Sequence, residues 1–156
     1  WSQIMKTRTD TKHTIENLSQ QWKDDHRELD KFFDEYRQWA YEIAQQGVPH
    51  FGETAERLKQ LRERLTEHFA REDKICEQLI AIAGSPSPEV DANRRQVATD
   101  HINLLSRLDT LINRLGELDP PYDSWQEAVE EVERFCDALE QHEEQESDCI
   151  TWLLPK

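Results

Sequence analysis

Residues 123–153 read DSWQEAVEEVERFCDALEQHEEQESDCITWL. Trp125, Val129, Val132, Cys136, Leu139, His142, Glu146, Cys149 and Leu153 recur at spacings of three and four, the period of one helical face. His142 and Glu146 therefore fall on an otherwise apolar seam. They are four positions apart, so both project from the same side of the helix. Burying an ionised carboxylate without a partner is costly, so this seam needs a compensating charge.

The same seam occurs further back. Leu58, Leu61, Leu65, His68, Glu72, Ile75 and Leu79 repeat the pattern with the same two polar interruptions. Two further segments each carry one histidine on an apolar face. His26 follows Ile15, Leu18 and Trp22 and precedes Leu29, Phe33, Tyr36, Ala40 and Ile43, while His101 lies between Val97 and Leu104, Leu108, Leu111 and Leu115. The motifs are in register: Asp25-His26-x-x-Leu29 with His68-x-x-x-Glu72, then Asp100-His101-x-x-Leu104 with His142-x-x-x-Glu146. Four histidines and two glutamates recurring in this way are the material of a metal site with nitrogen and oxygen ligands.

Breakers divide the chain into four pieces. Gly47-Val48-Pro49 ends the first, Gly84-Ser85-Pro86-Ser87-Pro88 ends the second, and Gly116 to Pro121 ends the third. Ser87 is placed to cap the third helix, with Pro88 at its first position, and Asp123-x-x-Gln126 resembles a capping box opening the fourth. Helices are expected over 11–46, 53–83, 88–117 and 123–153. Loops this short force antiparallel neighbours, giving one all-α domain over 11–153, an up-down-up-down four-helix bundle.

Counting along the helices places the polar groups at one level. His26 lies about twenty residues before the first turn and Glu72 about twenty after it, which at ~1.5 Å per residue is the same height. His101 and Glu72 are likewise matched about the second turn, and His142 falls roughly one turn deeper by the same rise. All six groups can converge at mid-bundle.

Composition narrows the partners. A formal charge of −14, with Glu130, Glu131, Glu133, Glu140, Glu143 and Glu144 read as a solvated acidic face, argues against nucleic acid or an anionic membrane. No run approaches the ~20 apolar residues of a membrane span. Cys76, Cys136 and Cys149 are odd in number and lie on helical seams without a C-x-x-C pair. They read as reduced core residues of a cytoplasmic protein. Trp22 and Tyr36 flank the level of His26 and read as packing groups, and His13 as a surface residue.

Imidazoles with two carboxylates and no thiolate suit iron, manganese or zinc. Six ligands exceed the needs of one tetrahedral zinc and suit two six-coordinate ions bridged by the glutamates; di-iron fits best.

These residues resemble the hemerythrin-like HHE cation-binding domain family over about Ile15 to Ile150. The resemblance rests on DHREL (25–29), HFARED (68–73), DHINL (100–104) and HEEQE (142–146), in order and on a four-helix layout. It implies two non-haem iron ions, with His26, His68, His101 and His142 as terminal ligands and Glu72 and Glu146 as bridges. The chain departs from the oxygen carriers of that family. Leu105 stands where they have a further histidine, and H-x-x-x-E replaces their H-x-x-x-x-D on the fourth helix. Motif order is closer to the bacterial iron-centre repair proteins, whose extra histidine would correspond to His50, although their small cysteine-containing N-terminal domain is not in this sequence.

The expected function is a non-haem di-iron protein that binds or reacts with oxygen, nitric oxide or peroxide as sensor, scavenger or iron donor. A di-iron oxidoreductase or repair factor, and a helical interaction module with a purely structural metal, stand as alternatives. The sequence identifies no protein partner.

Overall fold

The computed structural model describes the backbone of residues 2–46, 48–84 and 87–153, and the side chains of 10–46, 48–82, 84 and 87–148. Four helices make up the fold: α1 (Ser2–Gln46), α2 (Phe51–Ala83), α3 (Pro88–Leu115) and α4 (Trp125–Leu153). No strand occurs among the described residues. Each helix packs on its neighbours in sequence, α1 closes on α4, and α2 and α4 also meet across the bundle. No helix of the structure is long and apolar enough to cross a membrane.

The helix ends show which local signals prevail. Ser87 caps α3 by accepting from Val90 N at 3.2 Å, with Pro88 in the first turn, as its sequence predicts. The start of α4 is displaced from the expected Asp123. Ser124 Oγ accepts from Glu127 N at 3.2 Å, and Glu127 Oε2 accepts from Asp123 N at 3.1 Å. An ionised glutamate accepts more strongly than a glutamine amide, so Ser124-x-x-Glu127 outcompetes Asp123-x-x-Gln126. Helix α1 begins at Ser2 rather than 11, because residues 2–10 contain neither Pro nor Gly to stop it. Gly84 ends α2 at φ 86°, a conformation that suits a residue without Cβ, and its N–H donates to Ile80 O at 3.1 Å. Gly47, Ser85, Pro86 and the side chains of Cys149 and Leu153 lie outside the described residues.

The apolar core is in two parts. The larger includes Leu29, Phe33, Leu58, Leu61, Leu65, Leu108, Leu111, Phe135 and Leu139 from all four helices. The smaller contains Leu18, Trp22, Ile75 and Leu79, with Cys76 packed against it. Cys136 is a buried thiol in the larger part. Between the two lies a layer of charged and imidazole side chains.

Candidate metal centre

Each helix contributes to that layer: His26 from α1, His68 and Glu72 from α2, His101 from α3, and His142, Glu143 and Glu146 from α4. The seam that carries leucines above and below also carries these groups, so burial is imposed on them by their neighbours. Glu72 is only 1% exposed, and His68, His101, His142, Glu143 and Glu146 are buried as well. His26 is half-buried, with the Trp22 ring stacked on it at 5.1 Å.

The functional atoms converge. His68 Nε2 lies 2.5 Å from Glu72 Oε1, and His142 Nε2 lies 3.3 Å from Glu146 Oε2. Glu146 Oε1 is 3.5 Å from His101 Nε2, and the His101 and His142 rings are 4.8 Å apart at the same level rather than a turn apart. Ligand atoms of His101, His142 and Glu146 fall within 4.8 Å of one another, as do those of His26, Glu72 and Glu143, and those of Asp25, His68 and Glu72. The six residues expected to converge do so. His50 does not join them. It precedes α2, where its Nδ1 lies 3.0 Å from Glu53 Oε2 and its ring meets the edge of Trp125. Helical rise puts it about 27 Å along α2 from His68. A residue in the loop at one end of the bundle cannot reach its middle, so the expectation of a fifth histidine at this centre is not met.

Glu143 is the residue that the sequence reading missed. Placed there on the solvated face, it is instead 4% exposed, and its Oε2 accepts from His26 Nδ1 at 3.0 Å and lies 3.4 Å from His68 Nε2. The signal was present: Glu143 is four positions after Leu139 and seven after Cys136, both buried. Glu130, Glu133, Glu140 and Glu144 are exposed as expected, while Glu131 is half-buried beside Arg114.

Aspartates surround the centre. Asp73 Oδ1 stands 3.1 Å from His101 Nδ1 and Asp100 Oδ2 3.5 Å from His142 Nδ1, and Asp25 occupies the like position beside His68. A carboxylate beside Nδ1 favours the proton there and leaves the Nε2 lone pair for the interior. Leu105 is half-buried against the larger apolar cluster, and Tyr36 packs there too, beside Trp39.

The electrostatics show protons standing in for a cation. Burial alone would lower His68, but Asp25, Glu143 and Glu72 overcome it and hold the imidazole up at about 12. His101 is likewise raised, against desolvation, to about 9 by Asp73 and Glu146. Burial and the neighbouring Glu146 push Glu72 well above the carboxylate range. Burial opposes ionisation of Glu146 as well, yet Glu72, His101 and His142 hold it below its usual range, and His26 and His68 do the same for Glu143.

The donor set fits a bound cation. Both oxygens of Glu72, Oε1 of Glu143, Oε2 of Glu146 and Nε2 of His101 and His142 are buried and make no well-aligned hydrogen bond, only close contacts within the layer. Buried polar atoms without well-formed hydrogen bonds are rare and unfavourable, and here they are gathered in one layer. Nitrogen and carboxylate oxygen with no thiolate among them is a donor set for a first-row divalent metal.

Comparison with curated proteins finds no match, and comparison with solved structures finds none. The family model of the hemerythrin HHE cation-binding domain matches residues 17–150, which takes in every residue of the layer. The four-helix bundle with its mid-level histidines and carboxylates thus belongs to a member of the hemerythrin HHE cation-binding domain family.

Proposed function

We propose that the chain is a non-haem di-iron protein of the cytoplasm that binds or reacts with oxygen, nitric oxide or peroxide. The observation that carries this reading is the set of buried donor atoms without well-formed hydrogen bonds on Glu72, Glu143, Glu146, His101 and His142. With Asp25, His26 and His68 they form three clusters of possible ligand atoms, more than a single ion would use. His26, His68, His101 and His142 would be the terminal ligands and Glu72 and Glu146 the shared ones; bound iron would supply one-electron chemistry toward a small oxidant.

A small cavity at the edge of the layer has room for a small ligand. A cavity of about 120 Å³ beside Glu146 is lined by Asp73, Cys76, Val97 and Ala98 and flanked by the Arg94–Glu77 ion pair at 3.5 Å. A cavity of ~150 Å³ holds a benzene molecule, so that space suits a ligand no larger than this. The protein's own part is to hold the donors in place, to exclude bulk water between the two apolar clusters, and to orient the imidazoles of His68, His101 and His142 through the flanking aspartates so that Nε2 faces the layer.

Anaerobic loading with ferrous iron followed by metal analysis and optical spectroscopy tests the reading. About two iron atoms per chain are expected, with a new visible absorption when nitric oxide is added to the reduced protein. One zinc per chain whatever the iron supply, with no optical response, would replace it with a structural metal.

A further inference from the structure

The chain's two halves repeat at an interval of 74 in their second helices, which pairs His68 with His142, Glu72 with Glu146, and Phe69 with Glu143. The first two pairs are identical and the third is not. Phe69 lies flat on the His101 ring, at 4.0 Å between centroids and 9° between planes. Its counterpart Glu143 sends a carboxylate to His26 and His68, the two imidazoles on the other side of the layer. At this position the symmetry of the motifs is broken, and it is broken by a charge.

We infer that Glu143 is a ligand belonging to one cation position only, so that the two positions differ in affinity and fill in order, the one at His26 and His68 first. This rests on the two-cation reading above. With Glu72 and Glu146 shared, the His101–His142 position has two imidazoles and the shared carboxylates. The His26–His68 position has two imidazoles, the same carboxylates and Glu143. Glu143 is free to ligate, since its Oε1 is buried and makes no well-aligned hydrogen bond. A further anionic oxygen in a buried site strengthens attraction for a divalent cation, and for hard ions above all. Phe69 can offer neither charge nor lone pair to the other side, and it shields His101 from solvent.

The test is an anaerobic titration of the apo protein with Co2+ alone, followed in the visible region, where the ligand-field bands of each ion report its own ligands. The wild type should take up two equivalents in two steps whose affinities differ by at least about tenfold, the scale on which even supporting groups around a metal act. Glu143→Gln keeps the size and removes the charge; it should weaken the first step by at least about tenfold and draw the two together. His101→Ala should erase the second step and leave the first as in wild type. Two indistinguishable steps in the wild type, an unchanged first step in Glu143→Gln, or loss of the first step in His101→Ala would overturn the inference while leaving the two-cation reading intact. A wild type that binds no Co2+, or one equivalent only, overturns both. Helical circular dichroism of each variant checks that the bundle has folded, and the wild-type titration decides the question of order even if a variant fails to fold.

Discussion

Asp25 Oδ2 lies 2.7 Å from His68 Nδ1, and the same aspartate is pinned from outside by Arg71 Nε, 2.7 Å from its other oxygen. A surface cation thus orients a carboxylate that orients a buried imidazole, and the carboxylate–imidazole contact recurs half a chain later between Asp100 and His142 at 3.5 Å. Burial pushes the Asp25 carboxyl up, but His68 and Arg71 outweigh it and keep the group ionised below its usual range. Asp25→Ala should therefore lower cation affinity by about 10–100-fold without removing a ligand of the expected set. Competition with a chelator of known affinity measures it; an unchanged constant would mean that the aspartate is only a surface charge.

Glu72 and Glu146 are the carboxylates proposed to be shared between the two ions. Replacing both with Ala should reduce bound iron from about two atoms per chain to at most one weakly held ion, since Glu143 is then the one buried glutamate left in the layer to balance a dication. Metal analysis after gel filtration reads the result. Retention of two ions in the double variant would show that the glutamates are not what holds them.

The apo protein should lose stability as the pH is raised. His68 and His101 have folded pKa values of about 12 and about 9, both above the ordinary histidine value. Raised values mean that the protonated forms stabilise the fold fully below about 6.5, the unfolded value, and that this contribution is lost as pH climbs through the folded values. For His101 that window runs from about 6.5 to about 9. Glu143 and Glu146, held low, act in the opposite direction, and their contribution disappears as pH falls through the acid range below about 4.5. Bound cation displaces the imidazole protons, so its affinity should rise over pH 6.5 to about 9 and its binding should release protons. Thermal midpoints of apo and loaded protein should move apart across that range; parallel curves would count against a cation in the layer.

His50→Ala should leave iron content and spectra as they are, because the residue sits at the loop end of the bundle against Trp125. Its cost should appear in stability alone, about 0.5–1.5 kcal/mol for the edge-to-face contact. Chemical denaturation measures the loss, and a drop in bound iron in the folded variant would return His50 to the centre.

Helix order and five of the six buried ionisable groups of the layer could be read from the period of three and four, because apolar neighbours at that spacing determine what a helix buries. Glu143 could not be read with the same ease. It stands in a run of glutamates most of which are exposed, and only its distance from Leu139 and Cys136 separates it from them. His50 was placed wrongly for a different reason. A histidine near the first turn matches a motif by its order in the chain, whereas coordination depends on height in the bundle, and seventeen residues of helix lie between it and His68. The start of α4 moved by one residue because two overlapping capping patterns compete there, and pattern alone does not weigh a carboxylate against an amide.

His26 and Glu143 meet across a separation of 117 residues. Such a contact exists only after the first helix has closed against the last, late in the ordering of the chain and at the full entropic cost of closing that loop. A short zinc-binding loop gathers its ligands locally and can fold around its ion. Here the order is reversed: the leucine seams must assemble the bundle before a place for the ion exists. Metal then acts as any ligand of the native state does, raising the stability of a finished fold by mass action and leaving the route to that fold unchanged.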